Sequence, residues 1–212
     1  ALIAMPSYGG LAPEVAIERF KKISGNGAKC TIVCVYGNRA YEDTLVQMED
    51  VAKECGFDVI AAVAAVAEHS IMHQYAAGRP DADDEKQLET FAEQISVKEG
   101  TVTSVPGNRP YKKGGGAGLV PKVTADCVKC GLCAESCPVK AIDQHSFKAD
   151  SKSCISCMRC VSQCPHNARK VSGVMVGIVG LALKKACSLR KENELYLYCL
   201  LYTSPSPRDK RQ

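Results

Sequence analysis

This 212-residue chain has no apolar run long enough to cross a bilayer. The longest, Val174–Leu183, covers ten glycine-rich residues, against the ~20 that a spanning helix needs. It reads as a packing helix. No basic region followed by an apolar core opens the chain, so no secretory leader is expected. The absent initiator methionine reads as the mark of a fragment. No G-x-G-x-x-G occurs, which argues against an autonomous nicotinamide-dependent enzyme. H-E-x-x-H is also absent, and His69 and His73, although four apart, have no evident third ligand for a metal. Basic residues are not interleaved with aromatics, so a nucleic-acid surface is not expected.

Cysteine, by contrast, is abundant at thirteen. In a short secreted chain that count would suggest disulfides, but without an export signal a reducing cytoplasm, that of an anaerobe, fits better. The net charge of +4 conceals an asymmetry. Residues 1–100 carry 9 basic and 16 acidic side chains, a net of −7, and residues 101–212 carry 18 and 7, a net of +11. Mutual attraction between the halves is the expected consequence.

Residues 1–97 alternate apolar runs with amphipathic stretches, which predicts a parallel α/β sheet with right-handed crossovers. Strands are expected over 2–5, 30–36 and 58–66, and helices over 12–23, 41–56 and 81–96. Three strands make a thin sheet. Residues 98–121 hold six glycines and three prolines and read as a linker. A cysteine module at 122–172 follows, then a helix with a basic end at 173–198 and a disordered tail at 199–212.

Eight cysteines fall in two copies of C-x2-C-x2-C-x3-C-P, at Cys127, Cys130, Cys133 and Cys137 and again at Cys154, Cys157, Cys160 and Cys164. Every offset is 27, so the module is an internal duplication. Three closely spaced thiolates can hold three corners of one cubane cluster. The proline directs the chain away after the fourth, which therefore ligates the other cluster, as in the bacterial pattern. The first set is Cys127, Cys130, Cys133 and Cys164, and the second is Cys154, Cys157, Cys160 and Cys137. Zinc ribbons use two separated C-x2-C pairs and do not match this spacing. The crosslinking clusters explain how some 50 residues with little core can fold.

Over residues 122–168 the chain resembles the bacterial two-cluster 4Fe–4S ferredoxins, and the resemblance implies an electron carrier. Two loops after apolar strands, "PSYGG" (6–10) and "VYGNRAYED" (35–43), with "EHS" (68–70) after the third, stand where a flavodoxin-like sheet binds its cofactor. Residues 1–97 resemble the C-terminal part of such a domain, and nearly the whole chain resembles the flavodoxin–ferredoxin fusion proteins of anaerobes. That resemblance implies FMN with its ring between Ser7, Tyr8, Gly9 and Gly10 on one side and Tyr36, Gly37 and Asn38 on the other. The loop that would cradle the FMN phosphate is absent from these residues, so the resemblance assigns FMN to a full-length parent. Residues 198–212 resemble translated sequencing adapter.

The expected function is therefore electron transfer through two 4Fe–4S clusters, exchanging single electrons with redox partner proteins and, in the parent, with FMN. The alternatives are a flavin-dependent oxidoreductase and an iron–sulfur subunit of a larger complex. Cys30 and Cys34, four apart on one strand face, are expected in the core, and Cys55 in packing. Lys184, Lys185, Arg190 and Lys191 read as a solvated helix face, with a docking patch for an acidic partner as the alternative.

Overall fold

In the computed structural model, which describes residues 1–97, 100, 102, 104–112 and 118–197, the three apolar runs become parallel strands. They are β1 (Leu2–Pro6), β2 (Lys29–Tyr36) and β3 (Asp58–Val66). Helices α1 (Glu14–Phe20), α2 (Thr44–Glu54) and α3 (Ala82–Val97) alternate with or follow them. β-Branched residues and alanine fill β2 and β3, and Ala61–Val66 is buried without interruption, as for a strand covered on both faces. α2 packs on β2 and β3 through Leu45, Met48 and Val51. Cys30 and Cys34 are fully buried among these side chains, and the Cys55 sulfur donates to the Phe20 carbonyl at 3.7 Å.

The cysteine module contributes β4 (Lys122–Val123), α4 (Leu132–Glu135), α5 (Arg159–Ser162) and β5 (Arg169–Lys170). β4 and β5 pair antiparallel. An isolated bridge between Ile142 and Ala149 supplies the corresponding pairing in the other half of the duplication.

The helix expected over 173–198 is shorter. α6 spans Gly173–Cys187, and Glu194–Leu197 forms a strand, β6, antiparallel to β3. The thin sheet thereby gains a fourth strand, in the order β1-β2-β3-β6. The physical reason lies at the free edge of β3, whose backbone groups need partners that a continued helix could not supply. Side chains lock the return. The Asn193 Oδ1 accepts the Val66 N–H at 2.8 Å, and its Nδ2 donates to Asp84 at 3.0 Å. Asp84 forms a buried two-pronged pair with Arg79, whose Nη1 also donates to the Lys191 carbonyl at 2.6 Å.

The glycine- and proline-rich stretch expected as a linker is bound to the sheet domain where it is described. The Val102 N–H donates to the Val59 carbonyl at 2.7 Å, and Asp43 accepts from Asn108 and from the Lys112 N–H. Arg109 pairs with Asp50 and Glu49. α6 sets Val176, Val179 and Leu183 against Met72, Leu119 and Met158, while Val174, Ile178 and Leu181 stay exposed. No helix among the described residues is long and apolar enough to cross a membrane. The tail expected at 199–212 lies outside the described residues.

Candidate iron–sulfur centre and adjoining cleft

The duplication is visible in the backbone. Three positions in each copy adopt left-handed conformations, and they match at the same offset of 27: Lys129 with Ser156, Gly131 with Met158, and Lys140 with Asn167. Only the Gly131 position uses glycine, so the other five carry side chains in a region that L-residues enter at a cost. Such turns aim successive backbone N–H groups inward, which suits an anionic centre. α4 and α5 then begin at equivalent points and carry Cys133 and Cys160.

One of the two expected cysteine sets comes together around a pocket. Cys127, Cys130 and Cys133 line one small pocket, and Cys164, from the other copy, lines it with them. The walls are completed by Phe147, Pro165 and Ala168. In the second copy, burial raises the Cys154 thiol above its ordinary value, and the nearby Cys157 and Cys137 add to the rise. Burial pushes Cys160 up to about 11, partly offset by the positive charge of Arg169. Both fourth cysteines receive a backbone donor, from Ala141 to the Cys137 sulfur and from Ala168 to the Cys164 sulfur, each at 3.3 Å.

Arg169 was not marked by its surroundings in the sequence. It is 2% exposed, and its Nη1 reaches the Pro121 carbonyl at 3.5 Å. Its Nε and Nη2 have no acceptor, sulfur included. Buried donors without partners are costly. Eight free thiols, left-handed turns matched between the two copies and a buried cation with idle donors form a donor set that fits anionic iron–sulfur clusters. Among the described residues no three His, Cys, Asp or Glu groups converge tightly enough for a single metal ion.

Above this module, at the carboxyl ends of β1, β2 and β3, lies a cleft of about 520 Å³. Of the residues expected around a flavin, Ser7, Tyr8, Gly9, Tyr36 and Gly37 line it. Gly10 and Asn38 do not. Gly10 has φ +91°, and a Cβ there would collide with the Glu42 carboxylate. Asn38 is buried and donates to the Cys187 and Leu189 carbonyls, both at 2.9 Å, so it ties the β2 loop to the end of α6. Ser7 accepts from the Thr44 hydroxyl at 2.7 Å. Tyr36 stands edge-on to Tyr41, with ring centroids 5.1 Å apart.

His69 also lines the cleft. Its Nδ1 accepts from the Ile71 and Met72 N–H groups at 3.2 and 3.3 Å, which places the ring proton on Nε2. Burial lowers its pKa and keeps it neutral. Gly37 makes room for it, since a Cβ there would lie 2.8 Å from the His69 Cα. His73 is exposed and pairs instead with Glu68 at 2.5 Å.

The floor of the cleft comes from the cysteine module. Ile155 and Ser156, between Cys154 and Cys157, complete the lining, and Tyr8 feels the Cys157 charge after burial has raised its pKa. The four basic residues expected on one helix face do not share one: Lys184 and Lys185 lie in the last turn of α6, and Arg190 and Lys191 follow it. Arg190 pairs with Asp81 at 2.7 Å and Lys191 donates to the Arg39 carbonyl, while Lys184 and Lys185 remain exposed.

A family model described as a 4Fe-4S dicluster domain matches residues 126–168. No curated protein matches the chain. The chain thus carries a 4Fe–4S cluster-binding domain, consistent with an iron–sulfur electron-transfer role.

Proposed function

We propose that the chain relays single electrons through two 4Fe–4S clusters and, in the full-length parent, toward or from an FMN ring at the adjoining cleft. The observation that carries this reading is the pocket lined by Cys127, Cys130, Cys133 and the other copy's Cys164, which supports two interlocked sites of the bacterial dicluster pattern. The second set is Cys154, Cys157, Cys160 and Cys137. Clusters in these positions supply one-electron storage, and the chain's residues set the conditions. The Ala141 and Ala168 N–H groups donate to ligand sulfurs, and Pro138 and Pro165 follow the fourth cysteine of each copy.

The cleft supports the second half of the proposal. Its volume suits a cofactor-sized ligand. Ser7, Tyr8 and Gly9 form one wall and Tyr36 and Gly37 another, with Ser156 at the floor beside two cysteines of the second set. Ile155 and Ser156, which line the cleft, are the sequence neighbours of Cys154 and Cys157, so a flat ring held there would rest against residues next to proposed cluster ligands. The neutral His69 can offer its Nε2 proton to such a ring. Redox proteins are the proposed partners.

The test is anaerobic reconstitution with iron and sulfide, chemical reduction, removal of reductant and addition of FMN. Tight FMN binding with loss of the oxidised flavin spectrum supports the relay. Unbound flavin beside fully loaded clusters restricts the function to the ferredoxin half.

A further inference from the structure

The duplication breaks its symmetry at one buried position. Ile142 in the first copy corresponds to Arg169 in the second, 27 residues later, and both are buried. The first copy shows that isoleucine satisfies the fold at this point. In the second copy the chain instead buries a full positive charge, which is costly unless it is paired. The charge has no carboxylate partner among the described residues. Its Nε and Nη2 donors are idle, and it lines the pocket of Cys127, Cys130, Cys133 and Cys164.

We infer that Arg169 is a positioning residue of the iron–sulfur centre, whose Nε–H and Nη2–H donate to cluster sulfur and whose charge favours the reduced state. The inference rests on cluster binding as proposed above. An iron–sulfur cluster gains one negative charge on reduction, so a fixed, buried cation lining its pocket stabilises the reduced form and raises its potential. Isoleucine at the equivalent place in the first copy offers neither donor nor charge. Arg169 is therefore a device for setting potential rather than a requirement of the turn.

The experiment compares Arg169→Ile, Arg169→Lys and the unaltered chain, each reconstituted anaerobically, by iron and sulfide content and by potentiometric titration followed by electron paramagnetic resonance. With full cluster content, R169I is expected to lower the midpoint of at least one cluster by a tenfold change in its reduced-to-oxidised ratio, which is ~59 mV for one electron. R169K, which keeps charge but loses the fork, is expected to fall between the two. Unchanged midpoints in a fully loaded R169I overturn the inference. If R169I assembles poorly, R169K decides: unaltered midpoints there, or iron loss in both variants, make Arg169 structural and also overturn it. An unaltered chain that takes up no iron and sulfide would instead refute the cluster reading itself.

Discussion

Ala141 and Ala168, 27 residues apart, make the same bond: each backbone N–H donates at 3.3 Å to the sulfur of the cysteine four residues earlier, Cys137 and Cys164. The two cysteines that close the motifs are thus held by equivalent local structure. Each is also the ligand proposed to cross to the other copy's cluster.

Crossing gives an asymmetric expectation for single substitutions. Cys164→Ala should empty the site built on Cys127, Cys130 and Cys133, halving bound iron to about four per chain. The resonance of the cluster at Cys154, Cys157 and Cys160 should persist. Cys137→Ala should do the converse. Iron analysis with electron paramagnetic resonance checks both, and loss of the same-copy cluster would refute the crossing.

The Arg79–Asp84 pair should carry the attachment of β6. Asp84 is 1% exposed, and its replacement by asparagine leaves Arg79 buried without a counter-charge. Asp84→Asn should cost about 3–5 kcal/mol in urea unfolding. The hydrogen bonds from Arg79, ahead of other causes, hold the Asp84 carboxyl well below the usual carboxylate range. As pH falls, the unfolded chain therefore takes the proton first. The stabilisation is complete above ~pH 4 and is lost as pH drops through the depressed native value. The gap in urea midpoint between the two proteins should stay constant from pH 7 to 5 and narrow below ~pH 4.

Asn38 offers a second test of the same closure. Its amide holds the Cys187 and Leu189 carbonyls, and Asn38→Ala should destabilise the protein by about 1–3 kcal/mol through buried acceptors left unpaired. Hydrogen exchange should rise first over 188–197. Uniform protection there would contradict the role.

Gly37 separates the cleft from the cysteine centre experimentally. A side chain at this position drives into the His69 backbone, and such overpacking costs about 1–3 kcal/mol. In the full-length parent, Gly37→Val should weaken FMN binding by about tenfold or more, ~1.4 kcal/mol, while leaving iron and sulfide unchanged. Flavin fluorescence titration reads the first and metal analysis the second.

Much of this was legible in the residues. The β-branched run 30–36 and the apolar run 58–66 became adjacent parallel strands, and the regular cysteine spacing pointed to the dicluster domain. β6 was not legible. "ELYL" is four residues long, too short for a periodic signal, and its partner strand lies more than a hundred residues earlier. The free edge of β3 and the Asn193 amide decide its conformation, and both are tertiary. The glycine-rich stretch before the module concealed Asn108 and Arg109, whose acidic partners sit on or beside α2. Arg169 left one trace, the mismatch with Ile142 when the two copies are aligned.

The most direct measurement is the iron and acid-labile sulfide content of the anaerobically reconstituted chain. The account predicts about eight of each per chain, bound only when all eight motif cysteines are present. About four of each, or bound zinc without sulfide, would contradict it.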